Sequence, residues 1–174
     1  MTERLVWEQP RALKKEFHIR RGQEVVAQLN FPSLWSNRAN GSYGNVRLSF
    51  AYEGILHQRI RVSSSDLDQL VAIIRIGRWF GKQADIELPT GRTLALYNKG
   101  NLHRIWTLSE SDGVRKRDLL SLVEKRSIIK ESAIIDIVGL SSSDPNPLLM
   151  ALLVCYLMVV VHEQEGAVVA TAAT

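Results

Sequence analysis

The segment Leu148 to Val161, LLMALLVCYLMVVV, is an aliphatic run interrupted only by Cys155 and Tyr156, with no charge along its length. It constrains the fold more than any other feature, because a helix that is apolar on every face must be enclosed. Its start is well marked. Asn146 is placed to cap the free backbone N–H groups and Pro147 suits the first helical position, with Asp144-Pro145 upstream repeating the same chemistry. The polar stretch His162-Glu163-Gln164-Glu165-Gly166 marks its end. These signals predict a helix over about 146–162. At about 1.5 Å per residue a helix begun at Pro147 and carried through Val161 is about 22 Å long, short of the roughly 30 Å hydrocarbon core of a bilayer. Burial in the centre of the chain's own domain is therefore the expectation. The alternative is a tail-anchored membrane protein with a cytosolic β domain, and a helix covered by a partner comes third.

The 174 residues suit one domain, expected over 1–165, followed by a disordered tail of small residues over 166–174. Hydrophobic residues at 45% and charged residues at 23% exclude a wholly disordered, collagen-like or polytopic membrane chain. The single cysteine excludes an intrachain disulfide and points to a reducing cytoplasm. Met1 to Glu8 carries acidic residues and no apolar run, so the chain is expected to begin in its own fold, without a signal or transit peptide.

Before Asn146 the chain consists of short runs of β-branched and aromatic residues separated by turn residues, an all-β pattern. Leu13 to Arg20 and Gln23 to Phe31 flank Arg21-Gly22 as a hairpin, whereas Ser36 to Gly44 reads as an Asn/Ser/Gly-rich connection. Asn45 to Tyr52 and Ile55 to Val62 alternate around Glu53-Gly54. Ser63 to Phe80 is ambiguous. Ser65 with Asp68 resembles a capping box, and Leu67, Leu70, Val71 and Ile74 share a helical face, but the β-branched Val71, Ile73 and Ile74 favour strand. Lys82 to Leu88 and Arg92 to Tyr97 flank Pro89-Thr90-Gly91 as a second hairpin. Strands over His103 to Leu108, Lys116 to Lys125 and Ile128 to Val138 follow, with turns at Asn98 to Asn101 and Glu110 to Gly113.

Many short strands followed by one wholly apolar helix suggest a curled sheet filled by that helix. Gly22 with Val25-Val26-Ala27-Gln28-Leu29 is similar to a "G-x-x-VA-x-L" strand, and Leu88-Pro89-Thr90-Gly91-Arg92-Thr93-Leu94 to a "G-R-x-Y/L" hairpin. Trp106 with Asp112-Gly113 looks like a tryptophan strand and its turn, and Leu152, Leu153 and Tyr156 like an "LLLLxxYL" helix. In this order, over most of the chain, they resemble the tubby C-terminal-like superfamily, which includes phospholipid scramblases and LURP-one-related proteins. The resemblance implies a closed antiparallel barrel of about twelve strands around a central buried C-terminal helix. It also implies a non-catalytic intracellular binding or scaffold module whose ligand is expected to be an anionic lipid head group. The chain lacks the Asp-rich segment after the helix that is linked with calcium in scramblases, and a cysteine-rich palmitoylated stretch.

Chemical motifs are sparse. His18, His57, His103 and His162 lie on separate elements without metal-ligand spacing and read as surface or strand-edge residues. Asp66 with Asp68 and Asp85 with Glu87 share a face if extended, as general acid–base chemistry or a metal would require, but read as solvated charge. Ser63 to Ser65 and Ser141 to Ser143 lack a nucleophile-elbow context, and the glycines form neither nucleotide-binding pattern. No enzyme, cofactor or metal is expected. Trp7, Trp35, Trp79 and Trp106 read as core or rim.

The net charge of +4 is too mild to indicate nucleic acid. Its distribution is uneven. Through Arg61 the chain holds ten Lys and Arg against five acids, leaving the remainder at −1. Alternation places Arg59 and Arg61 on one strand face, and Arg47 joins them if its strand pairs nearby. These three are the candidate contacts to an anionic phospholipid head group, such as a phosphoinositide, for a monomeric protein that is cytoplasmic or peripheral at a membrane. The bland reading of the same residues is a solubilising exterior.

Overall fold

The computed structural model describes residues 2–11, 14–33, 38–53, 59–77, 83–99, 104–111, 115–125, 131–138, 141 and 143–172. Twelve strands precede one helix: β1 (Thr2–Glu8), β2 (Glu16–Arg21), β3 (Glu24–Asn30), β4 (Ala39–Tyr43), β5 (Val46–Glu53), β6 (Arg59–Ser64), β7 (Leu70–Ile76), β8 (Gln83–Glu87), β9 (Thr93–Lys99), β10 (Ile105–Ser111), β11 (Lys116–Lys125), β12 (Ser132–Val138) and α1 (Pro147–Ala172). Every strand is antiparallel to its neighbours in sequence. β1 then closes the barrel against β12, from Thr2↔Val138 to Glu8↔Ser132.

The period-two pattern of the sequence sets which side chains enter the barrel. Leu5, Trp7, Phe17, Ile19, Leu29, Leu48, Phe50, Ile60, Val62 and Ile74 point inward and are buried, and the opposite positions carry most of the charge. Eight strands make a barrel that its own side chains can fill, whereas twelve leave room for a helix about 10–12 Å across. α1 occupies that room. Met150 through Val161 are each 3% exposed or less. Tyr156 stacks on Phe31 (5.8 Å, 3°), just after β3, and on Phe50 of β5 (4.5 Å, 23°), joining the helix to the β3–β5 part of the wall. The helix lies inside the protein, and among the described residues none is long and apolar enough to cross a membrane.

The start of α1 is as written in the sequence. Asn146 Oδ1 accepts the Leu148 backbone N–H at 2.9 Å, with Pro147 as the first helical residue. Its end is not. α1 continues to Ala172, through the segment expected to stop it and into the expected tail. A single Gly166 costs roughly 1 kcal/mol in a helix, and the alanines around it are strong helix formers.

Ser36 to Gly44 also differs from expectation, since Ala39–Tyr43 forms β4. The small residues there are what an inward face crowded by α1 demands: Ala39 and Gly41 face the helix while Asn40 faces out. The ambiguous Ser63 to Phe80 region holds no helix where described: it is the end of β6, a turn at 65–67 and then β7, and residues 78–82 lie outside the described residues. Both predicted hairpins form. Gly22 and Gly91 take positive φ of 61° and 82° at their turns.

Candidate functional site

The three predicted arginines all point outward, but the barrel separates them. Arg59 and Arg61 converge on Glu53: Arg59 Nε lies 3.3 Å from Glu53 Oε2 and Arg61 Nη1 lies 3.9 Å from Glu53 Oε1. Arg47 belongs to the other end of β5. Arg61 pairs with Ala51, so Arg47 is four residues, about 13 Å, farther along the strand, and about 20 Å from the Arg59 position. The three do not form one patch.

Arg47 has a different setting. β3, β4 and β5 place Gln28, Ser42 and Arg47 in one row of register partners, and Asn30, Asn40 and Ser49 in the next. Gln28, Asn30, Asn40, Ser42, Arg47 and Ser65 line a cleft of about 280 Å³ on the outer wall, with Gly41 and Leu48 at its floor. Gly41 faces inward beneath the cleft, where an added Cβ would stand 3.1 Å from the Phe50 ring and 3.6 Å from Leu152. Among the described residues, none of the six lining side chains hydrogen-bonds to, or pairs with, another group. Elsewhere on the wall, by contrast, Arg4 pairs with Asp136 at 2.7 Å, Arg20 with Glu8 at 2.8 Å and Arg75 with Glu87 at 2.7 Å. A free guanidinium among amides and hydroxyls offers charge-assisted bonds to an anion and neutral bonds to its substituents.

The turn above the cleft is fixed by two backbone bonds, Ser65 N–H to the Arg47 carbonyl at 2.9 Å and Ser64 N–H to the Gln69 carbonyl at 2.8 Å. It carries Asp66 and Asp68, with Asp68 at φ 47°, and Leu67, which is 75% exposed. The sequence pairing of Asp66 with Asp68 is therefore a feature of a turn. Asp85 and Glu87 share the outer face of β8, where Glu87 is committed to Arg75. Among the described residues no group of three or more His, Cys, Asp or Glu could hold a metal ion.

Two polar clusters escaped sequence reasoning, one at each mouth of the barrel. Next to the start of α1, Asp144 accepts bonds from Arg117 Nη2 at 2.6 Å and Arg92 Nη2 at 2.9 Å, and both arginines also bond Glu110. The Ser141 backbone N–H donates to Asp144 Oδ2 at 2.7 Å, which places that serine in a loop clasp. The Arg117 guanidinium, despite the opposing effect of burial, holds the Asp144 carboxyl far below the usual carboxylate range, and Arg92 lowers that of Glu110. At the far mouth, His162 Nε2 lies 3.1 Å from Glu124 Oε1 and His162 Nδ1 lies 3.8 Å from Glu131. Glu124 also accepts the Trp106 indole N–H at 2.7 Å, and Lys15 pairs with Glu163. Burial pushes the His162 imidazolium down, but its bonds to the two carboxylates outweigh this and hold it up at about 9. His162 is thus a half-buried clamp, contrary to its expected surface placement. His18 does sit on the outer wall beside Glu16, at 3.2 Å, and His57, His103, Trp35 and Trp79 lie outside the described residues.

No protein-family model matches this chain, and no curated protein or solved structure matches it.

Proposed function

We propose that this chain is a non-catalytic binding module of tubby/scramblase-like type that receives an anionic group, such as a lipid head group, in the cleft at Arg47. One observation carries the reading: a guanidinium stands in a hollow whose polar side chains have no side-chain partners among the described residues. Leu67, exposed at the tip of the adjoining turn, gives that face an apolar point suited to a membrane surface. Arg59 and Arg61 contribute less, because each shares Glu53. Cys155, wholly buried, is in keeping with a reducing cytoplasm, where the protein works as a monomer, peripheral at the membrane. A binding role is preferred to an enzymatic one because the candidate carboxylates Asp85 and Glu87 face solvent from a strand and Glu87 is tied to Arg75.

Co-sedimentation of the full chain with phosphatidylcholine vesicles, with and without an anionic lipid, tests the reading. Binding that requires the anionic lipid, weakens with salt and falls roughly tenfold in Arg47→Gln is expected. Equal binding to both vesicle types, or full retention by Arg47→Gln, overturns it.

A further inference from the structure

Building on the anion-binding reading, we propose that the Arg47 cleft selects a hydroxylated ring bearing a single anionic group, a polyol monophosphate, over a bare anion or a polyphosphate. The composition of the cleft argues this. Its lining holds one cation against three amides and two hydroxyls, so neutral hydrogen-bonding capacity far exceeds positive charge. Each amide both donates and accepts, as a ring hydroxyl does, whereas a phosphate oxygen needs donors alone. The spacing fits as well. Gln28, Ser42 and Arg47 stand on adjacent strands, as do Asn30 and Asn40, so their backbone positions are about 4.8 Å apart and their polar ends are presented side by side over a span comparable to a six-membered ring and its hydroxyls.

Charge at the rim works against more highly phosphorylated ligands. The turn that supplies Ser65 also carries Asp66 and Asp68, and the Arg59–Arg61 pair is remote from Arg47 and shares Glu53. A second phosphate in this cleft finds no second guanidinium in the lining, and the adjoining turn adds two negative charges to that neighbourhood. The ring and its phosphate have two possible sources, a free sugar or cyclitol phosphate and the head group of phosphatidylinositol.

Titration calorimetry of the full chain with inositol monophosphate, inorganic phosphate, unphosphorylated inositol and inositol bisphosphate separates the terms. The monophosphate is expected to bind at least tenfold more tightly than inorganic phosphate or inositol, and no less tightly than the bisphosphate. Arg47→Gln should cost roughly tenfold. Asn40→Ala should weaken the monophosphate while leaving inorganic phosphate unchanged, a split that a general loss of folding does not produce. Equal affinity for inorganic phosphate and the monophosphate, or tighter bisphosphate binding, overturns the ring selection and leaves the anion reading standing. If neither the four solutes nor phosphatidylinositol vesicles bind, both fail. Tighter binding to such vesicles than to the free monophosphate, weakened by Leu67→Ser, identifies the lipid as the source, and the reverse order identifies the free compound.

Discussion

Gly41 on β4 faces Leu152 on α1 so closely that a Cβ at position 41 would stand 3.6 Å from the leucine Cδ1, and 3.1 Å from the Phe50 ring. The bare backbone at this point lets wall and helix pack together. Gly41→Val should destabilise the protein by about 1–3 kcal/mol through overpacking, because its two methyl groups add to a Cβ position already tight against the Phe50 ring. It should also weaken ligand binding, since the displaced strand fills the cleft floor. Urea unfolding combined with the titrations above checks both effects, and a fully stable Gly41→Val protein contradicts the packing account.

Leu152 is 0% exposed, on the part of the helix that the barrel encloses. Leu152→Asp leaves a buried charge with no partner, which costs several kcal/mol against a total stability of roughly 5–15 kcal/mol. Circular dichroism of the variant should show loss of the cooperative β melt. Retention of that melt contradicts the central position of α1.

Asp144 and Glu110 give the fold an acid limb. Both carboxyls are held below their ordinary range by Arg117 and Arg92, so their contribution is complete above the unfolded value of about 4 and is lost as pH falls below it. Asp144→Asn should lower stability at neutral pH by about 2 kcal/mol and flatten the acid limb. Thermal melts from about pH 7 to about pH 3 measure the difference.

His162 acts in the opposite direction. Its folded value, about 9, lies above the unfolded 6.5, so its contribution is complete below the unfolded value and declines as pH rises through the folded one. Charged groups facing it are Glu124 and Glu131. Urea midpoints should fall between about pH 6 and about pH 10 in the natural sequence, and less steeply in His162→Gln. Parallel slopes in the two proteins rule out this clamp.

The barrel was legible because its information is local. Alternation along β5 and β6, and turn residues such as Gly22 and Gly91, specify strands and hairpins within a few positions. The buried helix was legible from composition alone. β4 was not, since its Ala, Asn, Gly and Ser carry no strand preference and are held as strand by β3 and β5 on either side. The ends of the barrel were hidden for a related reason: Asp144 and Arg92, or His162 and Glu124, meet only after closure. The candidate site was half visible. Sequence parity put Arg47, Arg59 and Arg61 outward, but which arginine keeps its charge free depends on Glu53, paired with Arg59 across the β5–β6 hairpin.

Because α1 follows all twelve strands, it leaves the ribosome after them, and β1 must wait for β12 before the ring can close. For most of its synthesis the nascent chain therefore displays an apolar lining with no plug, a state that invites capture by other chains. Completion depends on contacts between distant parts of the sequence, a topology that folds slowly. Cells making this protein are expected to hold it on chaperones until translation has passed Val161, and truncation before Pro147 should send it to degradation rather than yield an empty barrel.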